Sequence, residues 1–150
     1  MRRIVLTLVV AVALPISTWS QDRGFGVGLM LGEPIGLSGK TWLSQQNAVD
    51  FGLAYSFRSK GYFHIHADYL WQFPHVIQSE ERFSAYVGIG GRFALGKGSG
   101  IVGVRIPIGA AFWLGSAPIE FFIEGAPILD LAPATGLSGN GGIGARFYFR

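Results

Sequence analysis

The residues with the clearest potential for chemistry are His64, His66 and Asp68, which alternate along one short stretch of the chain. Side chains two positions apart on a β-strand point to the same face, so both imidazoles and the carboxylate would line one surface. Such a set can supply three ligands to zinc. The alternative is that these groups join a wider polar network. The sequence favours the network and predicts no cofactor, because nothing outside this strand supplies an obvious fourth ligand.

Ser56 adds a second chemical possibility, because it lies just before a short turn and close in sequence to His64. A serine within hydrogen-bond reach of a histidine, with an acid such as Asp68 to orient the ring, forms a nucleophilic arrangement. All three residues face the same way on neighbouring predicted strands, so this arrangement is a candidate catalytic site.

The segments that carry these residues alternate apolar and polar side chains, a period typical of β-strands. Every second residue from Phe51 to Phe57 and from Phe63 to Phe73 is aromatic or aliphatic. Turn-type residues, mainly Gly, Pro, Ser and Asn, separate such segments. The pattern predicts strands near residues 24–32, 35–43, 48–57, 62–73, 83–95, 101–114, 118–129 and 138–149.

One face of the predicted strands carries no charge, while the other carries charged residues separated by glycines. An even number of strands of about ten residues matches bacterial outer-membrane barrels. Closure also leaves no unpaired strand edge in hydrocarbon. We therefore predict an all-β fold, an eight-stranded antiparallel up-and-down transmembrane β-barrel. The residues expected to form a lumen network are Lys40, Asp50, His64, His66, Asp68, Arg92, Arg105, Glu120, Glu124 and Arg146.

This predicted lumen set holds four cations and four carboxylates when the histidines are neutral. An unpaired buried charge costs several kcal/mol, so the balance predicts an ion-paired interior that plugs the lumen. The expected cross-strand partners are Arg105 with Glu124 and Lys40 with Asp50. A selective channel would instead need an open lumen and usually an excess of one sign of charge.

The composition favours a single membrane domain. The 150 residues are 49% hydrophobic and only 14% charged, with 23 glycines. A soluble β-sandwich or lipocalin-like barrel would expose the charged face, which should then be rich in Lys, Glu and Thr. Cysteine is absent, which excludes disulfides, thiolate metal sites and a lipoprotein anchor. No basic patch is evident, so nucleic acid is not an expected partner.

Residues 1–20 have the features of a secretory signal peptide. Arg2 and Arg3 precede an apolar run that is shorter than the roughly 20 residues of a membrane-spanning helix. We predict cleavage near Ser20, which leaves residues 21–150 as the mature barrel, exported to the outer membrane.

Aromatic residues cluster toward the ends of the predicted strands. Outer-membrane barrels carry such rings at the level of the lipid headgroups. One rim would hold Phe25, Trp42, Trp71, Phe73, Phe83, Trp113, Phe147 and Tyr148, and the other would hold Phe57, Phe63 and Phe93.

Several glycine-rich segments resemble a family of small, uncharacterised bacterial outer-membrane β-barrel proteins, eight-stranded and similar in architecture to OmpA and OmpX. The segments are GEPIGLSGK (32–40), YVGIGGR (86–92), GVRIPIG (103–109), PIEFFIE (118–124), PILDL (127–131) and GGIG (141–144). The resemblance implies this fold and an outer-membrane location, and it implies no reaction. The final strand, with Arg146 to Phe149, is similar to the aromatic-ended strand that the outer-membrane insertion machinery recognises, although Arg150 follows the aromatic residue here.

The favoured role is that of a plugged barrel with a structural or interaction function and no turnover. One alternative is a narrow channel for small solutes. Another is a lipid A-modifying barrel enzyme, of the deacylase or acyltransferase type, that uses Ser56, His64 and Asp68, although no motif of either enzyme is present. The bilayer is the main expected partner because it would cover the uncharged face of the strands. Every predicted connection is short, so the chain offers little for binding another partner at the surface. The oligomeric state is not predicted.

Overall fold

The computed structural model of this protein describes residues 24–57, 61–74, 82–96, 98–114 and 117–149. The predicted signal peptide, residues 1–20, lies outside them. Within the described ranges, no helix has the length and apolar character to span a membrane. The segments of strand are β1 (Phe25–Glu33), β2 (Ile35–Trp42), β3 (Asn47–Ser56), β4 (Tyr62–Pro74), β5 (Arg82–Gly96), β6 (Ser99–Arg105), β7 (Ile108–Trp113), β8 (Ile119–Ala132) and β9 (Gly136–Phe149).

The strands pair antiparallel with their neighbours in the chain, and β1 pairs with β9 to close the ring. The segments β6 and β7 both lie between β5 and β8, so together they form one strand of the ring. Closure gives each strand a partner on both sides, which satisfies the backbone polar groups without water. The prediction of an eight-stranded antiparallel up-and-down β-barrel is therefore confirmed.

The predicted strand over residues 101–114 is interrupted at Ile106 and Pro107. Proline has no N–H to donate to a ladder, so it is tolerated in a sheet at breaks and bulges. The other polar groups here still find partners: Gly88 N donates to Pro107 O at 2.9 Å, and Ile106 N donates to Pro127 O at 3.0 Å. The wall therefore stays hydrogen-bonded across the interruption.

The two faces of the wall differ in polarity as the alternation predicts. In β4, His64, His66 and Asp68 are buried. The residues between and beside them point outward, and Ile65 is 49% exposed. Large apolar side chains cover the outside around the ring, for example Leu29, Leu37, Leu53, Ile89, Ile108, Ile123 and Ile143, each at least half exposed. The exterior is apolar, and the interior holds the charged side chains together with a set of buried apolar ones.

The barrel has two distinct ends. At the proximal end, Phe25 of β1 lies opposite Phe149 of β9, and the β2–β3 turn at 43–46 lies at this end too. At the distal end, β1 turns into β2 at Pro34, and β8 turns into β9 at residues 133–135. The terms proximal and distal are used below in this sense.

The β8–β9 hairpin is longer than the sequence predicts. The turn was expected over residues 130–137, but β8 continues to Ala132 and β9 begins at Gly136, with Asp130 opposite Gly136. The last pair of β1 with β9 is Glu33 with Gly141, so β9 runs past the end of β1. Residues 131–139 are all exposed, and the hairpin forms a projecting distal tip.

Candidate functional site

The interior of the barrel is the candidate functional site, because it gathers the polar residues that the strands direct inward. All ten of the residues expected there are buried, with exposed fractions of 7% or less. They come from seven segments of strand and meet because the wall is closed. The ten are Lys40, Asp50, His64, His66, Asp68, Arg92, Arg105, Glu120, Glu124 and Arg146.

Glu120 is the centre of the main ion-pair cluster. Lys40 Nζ donates to Glu120 Oε2 at 3.1 Å, and Arg146 Nη1 donates to Oε1 at 2.6 Å. Arg146 also donates from Nε to Ser38 Oγ at 2.9 Å. Both oxygens of one fully buried carboxylate are thus bonded to cations, which offsets the cost of removing all three charges from water.

Arg105 is the centre of a second cluster. Its Nη2 donates to Glu124 Oε1 at 2.7 Å, and its Nε lies 3.1 Å from Asp68 Oδ2. The hydroxyl of Tyr86 donates to the other oxygen of Glu124 at 2.8 Å. The expected ion pair between Arg105 and Glu124 is therefore present.

The expected ion pair between Lys40 and Asp50 is wrong. The two residues are opposite each other in the β2–β3 register, but the amine of Lys40 bonds to Glu120 and Asp50 Oδ2 lies 3.5 Å from Arg146. In a barrel this narrow, a long side chain reaches a strand on the other side of the lumen. Register alone therefore does not determine the partner.

The sequence interpretation missed Asp130, which it assigned to a turn. Arg92 donates to Asp130 Oδ1 from Nε at 3.0 Å and from Nη2 at 2.6 Å, and Ser138 Oγ donates to Oδ2 at 3.0 Å. The available signal was the period of two along β8, which runs through Glu120 and Glu124 and places Asp130 on the inner face.

His64 and His66 lie on the same face but have different surroundings. Their ring centroids are 5.3 Å apart, in an edge-on arrangement. His64 contacts the side-chain amide of Asn140 at 3.4 Å, whereas His66 Nε2 lies 3.9 Å from Asp68 Oδ2. Among the described residues, the group able to offer three metal ligands is Asp50, His66 and Asp68, with ligand atoms all within 4.8 Å of one another.

The candidate catalytic residues have three different partners. The hydroxyl of Ser56 bonds to the carboxylate of Glu33 at the distal end, while His64 contacts Asn140. Asp68 lies closest to Arg105 and His66. These contacts do not form the Ser–His–Asp relay that nucleophilic catalysis needs.

An aromatic layer fills the proximal part of the interior, and sequence reasoning missed it. Trp42 and Tyr148 were expected in the lipid-facing girdle, but they are only 4% and 3% exposed and point inward. Tyr148 packs on Trp113 with ring centroids 4.6 Å apart, and the amine of Lys40 lies 4.6 Å from the Trp42 ring. The signal was again the alternation, since Trp42 follows Lys40, and Tyr148 follows Arg146, by two positions.

The pairing and the two faces define the class of this protein, a closed eight-stranded antiparallel β-barrel with an apolar exterior and an ion-paired interior. No protein-family model matches the sequence, and no curated protein matches it. A solved structure that is similar in shape is the crystal structure of Neisserial surface protein A (NspA). The similarity covers 83% of this chain and 94% of that chain, at 13% sequence identity and a TM-score of 0.44. The class therefore rests on the strand pairing described above.

Proposed function

We propose that this protein is an integral outer-membrane β-barrel whose lumen is plugged by its own side chains, with a structural or interaction role and no turnover. The observation that carries the proposal is the closed ring of strands with an apolar outer surface. Exposed apolar patches on soluble monomers rarely exceed a few hundred Å², whereas here apolar side chains cover every strand. Such a surface is compatible with the hydrocarbon core of a lipid bilayer.

The contents of the interior support a plugged lumen. An eight-stranded barrel has an interior just wide enough for side chains to fill. The Glu120 and Arg105 clusters fill part of it with paired charges, and the buried rings of Trp42 and Tyr148 fill the proximal part. A channel selective for one sign of charge usually carries an excess of that sign along an open path, and these clusters bind their charges to each other instead.

The orientation and route of export belong to the same proposal. Residues 1–20 direct export as a cleaved signal peptide, and the insertion machinery recognises the last strand, with Arg146 to Phe149. The proximal end, which carries both termini of the barrel, faces the periplasm, as is usual for this class. The distal end then faces the outside of the cell.

Location is tested by membrane fractionation combined with a heat-modifiability gel. We expect the mature chain in the outer-membrane fraction, and an unheated sample should migrate differently from a boiled one. A mature chain that stays dissolved and monomeric without detergent would show that the proposed membrane location is wrong.

The plugged lumen is tested in planar lipid bilayers. The refolded wild-type barrel should give no stepwise conductance, and a known open porin reconstituted in the same way serves as the positive control. Regular single-channel steps from the wild type would show that the alternative, a narrow solute channel, is correct.

The enzyme alternative is tested on lipid A. Mass spectrometry should find the same acyl chains in cells with and without the protein. A change in acylation that disappears in both Ser56→Ala and His64→Ala would contradict the absence of turnover.

A further inference from the structure

We propose that Asp50, His66 and Asp68 form a buried binding site for one divalent transition-metal ion of the zinc type. The site differs from the set that the sequence suggests, because Asp50 of β3 takes the place of His64. It goes beyond the proposed role of the barrel and does not depend on whether the lumen conducts.

The register of β3 and β4 brings the three residues together. Asp50 lies directly opposite Asp68, and His66 precedes Asp68 by two positions on the same inner face. Two carboxylates directly opposite each other on paired strands repel, so this arrangement is unfavourable without a positive charge between them. The exposed fractions of the three residues are 1%, 6% and 2%, so water screens this repulsion little.

The three ligand groups are incompletely hydrogen-bonded. Asp50 Oδ2 lies 3.5 Å from Arg146, and Asp68 Oδ2 lies 3.1 Å from Arg105. Asp50 Oδ1, both carboxylate oxygens of Asp68 and His66 Nδ1 have no hydrogen-bond partner among the described residues. Buried polar atoms without partners are costly, and a cation held by the three residues would offset part of that cost.

Charge and chemistry favour a cation of this type. Within the ion-paired set, four cations (Lys40, Arg92, Arg105 and Arg146) face five carboxylates (Asp50, Asp68, Glu120, Glu124 and Asp130). With all five carboxylates ionised, this set carries one excess negative charge, which a bound divalent cation would offset. One imidazole and two carboxylates suit Zn²⁺, with water as a further ligand.

Zinc binding requires the three groups to move closer together. In a tetrahedral site, ligands bound to zinc at about 2.1 Å lie about 3.4 Å apart, whereas the three ligand atoms here lie within 4.8 Å of one another. Glycines make room for them: a Cβ at Gly52 would collide with the His66 ring, and one at Gly90 would collide with the Asp68 carboxylate. A closing movement of up to about 1.4 Å therefore completes the site.

The test is a zinc titration of the refolded mature barrel in detergent, in competition with a chromophoric chelator. We expect one zinc ion per barrel, and at least tenfold weaker binding in His66→Gln and in Asp68→Asn. His64→Gln is the matched control, because His64 lies on the same strand and face but outside the site. Its affinity should stay within about twofold of the wild type, and heat-modifiability gels verify the folding of each variant.

A second measurement uses the wild type alone, so that the test does not depend on the folding of any variant. In protein with ¹⁵N-labelled histidine, zinc should shift the imidazole signals of His66 and leave those of His64 in place. The proposal is overturned if the wild type binds no zinc, if His66→Gln binds as tightly as the wild type, or if His64→Gln loses as much affinity as His66→Gln. The proposal would also be overturned if Asp68→Asn stabilised the barrel and the wild type bound no zinc. A proton shared by Asp50 and Asp68, and not a metal ion, would then relieve the repulsion between the two carboxylates.

Discussion

The proximal and distal halves of the interior are filled in different ways. Proximally, Trp42, Tyr86 and Tyr148 belong to one buried apolar cluster that also contains the small residues Ala48 and Ala111. Distally, polar contacts dominate, as in the pair of Arg92 with Asp130, and the wall continues into an exposed hairpin. The Glu120 cluster lies between the two halves and contacts the aromatic layer through Lys40. We therefore expect side-chain volume to govern stability in the proximal half and charge-assisted hydrogen bonding to govern it in the distal half.

The largest effect is expected at the junction of the halves, from Glu120→Ala. The substitution leaves Lys40 and Arg146 without their buried carboxylate partner, and breaking a buried pair costs about 3–5 kcal/mol. Urea unfolding in lipid vesicles, followed by tryptophan fluorescence, measures the loss. Leu137→Ala at the exposed distal tip is the control and should change the free energy of unfolding by less than about 0.5 kcal/mol. A loss below about 1 kcal/mol from Glu120→Ala would show that the cluster is dispensable.

Tyr148→Ala tests the proximal half. Removing a buried aromatic ring costs about 3 kcal/mol or more, because a cavity remains. Tyr148→Phe keeps the ring and loses only the hydroxyl, which lies 3.3 Å from Glu120, so it should cost about 1 kcal/mol or less. The same unfolding assay compares the two variants. Equal losses would mean that the hydrogen bond, not the volume, holds this half together.

Asp130→Asn tests the distal half. The amide keeps the shape of the side chain but removes the charge that Arg92 contacts twice. Because the Asp130 side chain is 14% exposed, water replaces part of what is lost, and we expect a cost of about 1–2 kcal/mol. A loss as large as that of Glu120→Ala would remove the distinction between the two halves.

Ser138→Ala should have the smallest effect, about 0.5–1 kcal/mol, since it removes one neutral donor to Asp130. Combining it with Asp130→Asn gives a double-mutant cycle. A coupling energy clearly different from zero is expected, because the two side chains touch. Strict additivity would indicate that the contact contributes nothing to stability.

The architecture was predictable because alternation is a local property. Each strand reveals its two faces by its own residues, and closure follows from the need to pair every backbone group in hydrocarbon. The same rule assigned residues such as Lys40 and Arg105 to the interior. The same alternation also places Asp130 and Trp42 on the inner face, although we predicted a turn at Asp130 and a position at the lipid headgroups for Trp42.

The partners inside the lumen were less predictable, because contacts across a barrel depend on how the strands are staggered around the ring. Register puts Lys40 opposite Asp50, yet the amine crosses the lumen to Glu120. The group of Asp50 with His66 and Asp68 instead follows from the register of the neighbouring strands β3 and β4. The sequence contains these residues but does not give the distances between strands.

The projecting β8–β9 hairpin is a suitable site for labelling the protein. Its tip at residues 133–135 is exposed and makes no strand pairing of its own, and such tips commonly accept inserted peptides. A short antibody epitope placed there would label intact cells if the tip lies outside them. It would become visible only after permeabilisation if the barrel were inserted the other way up.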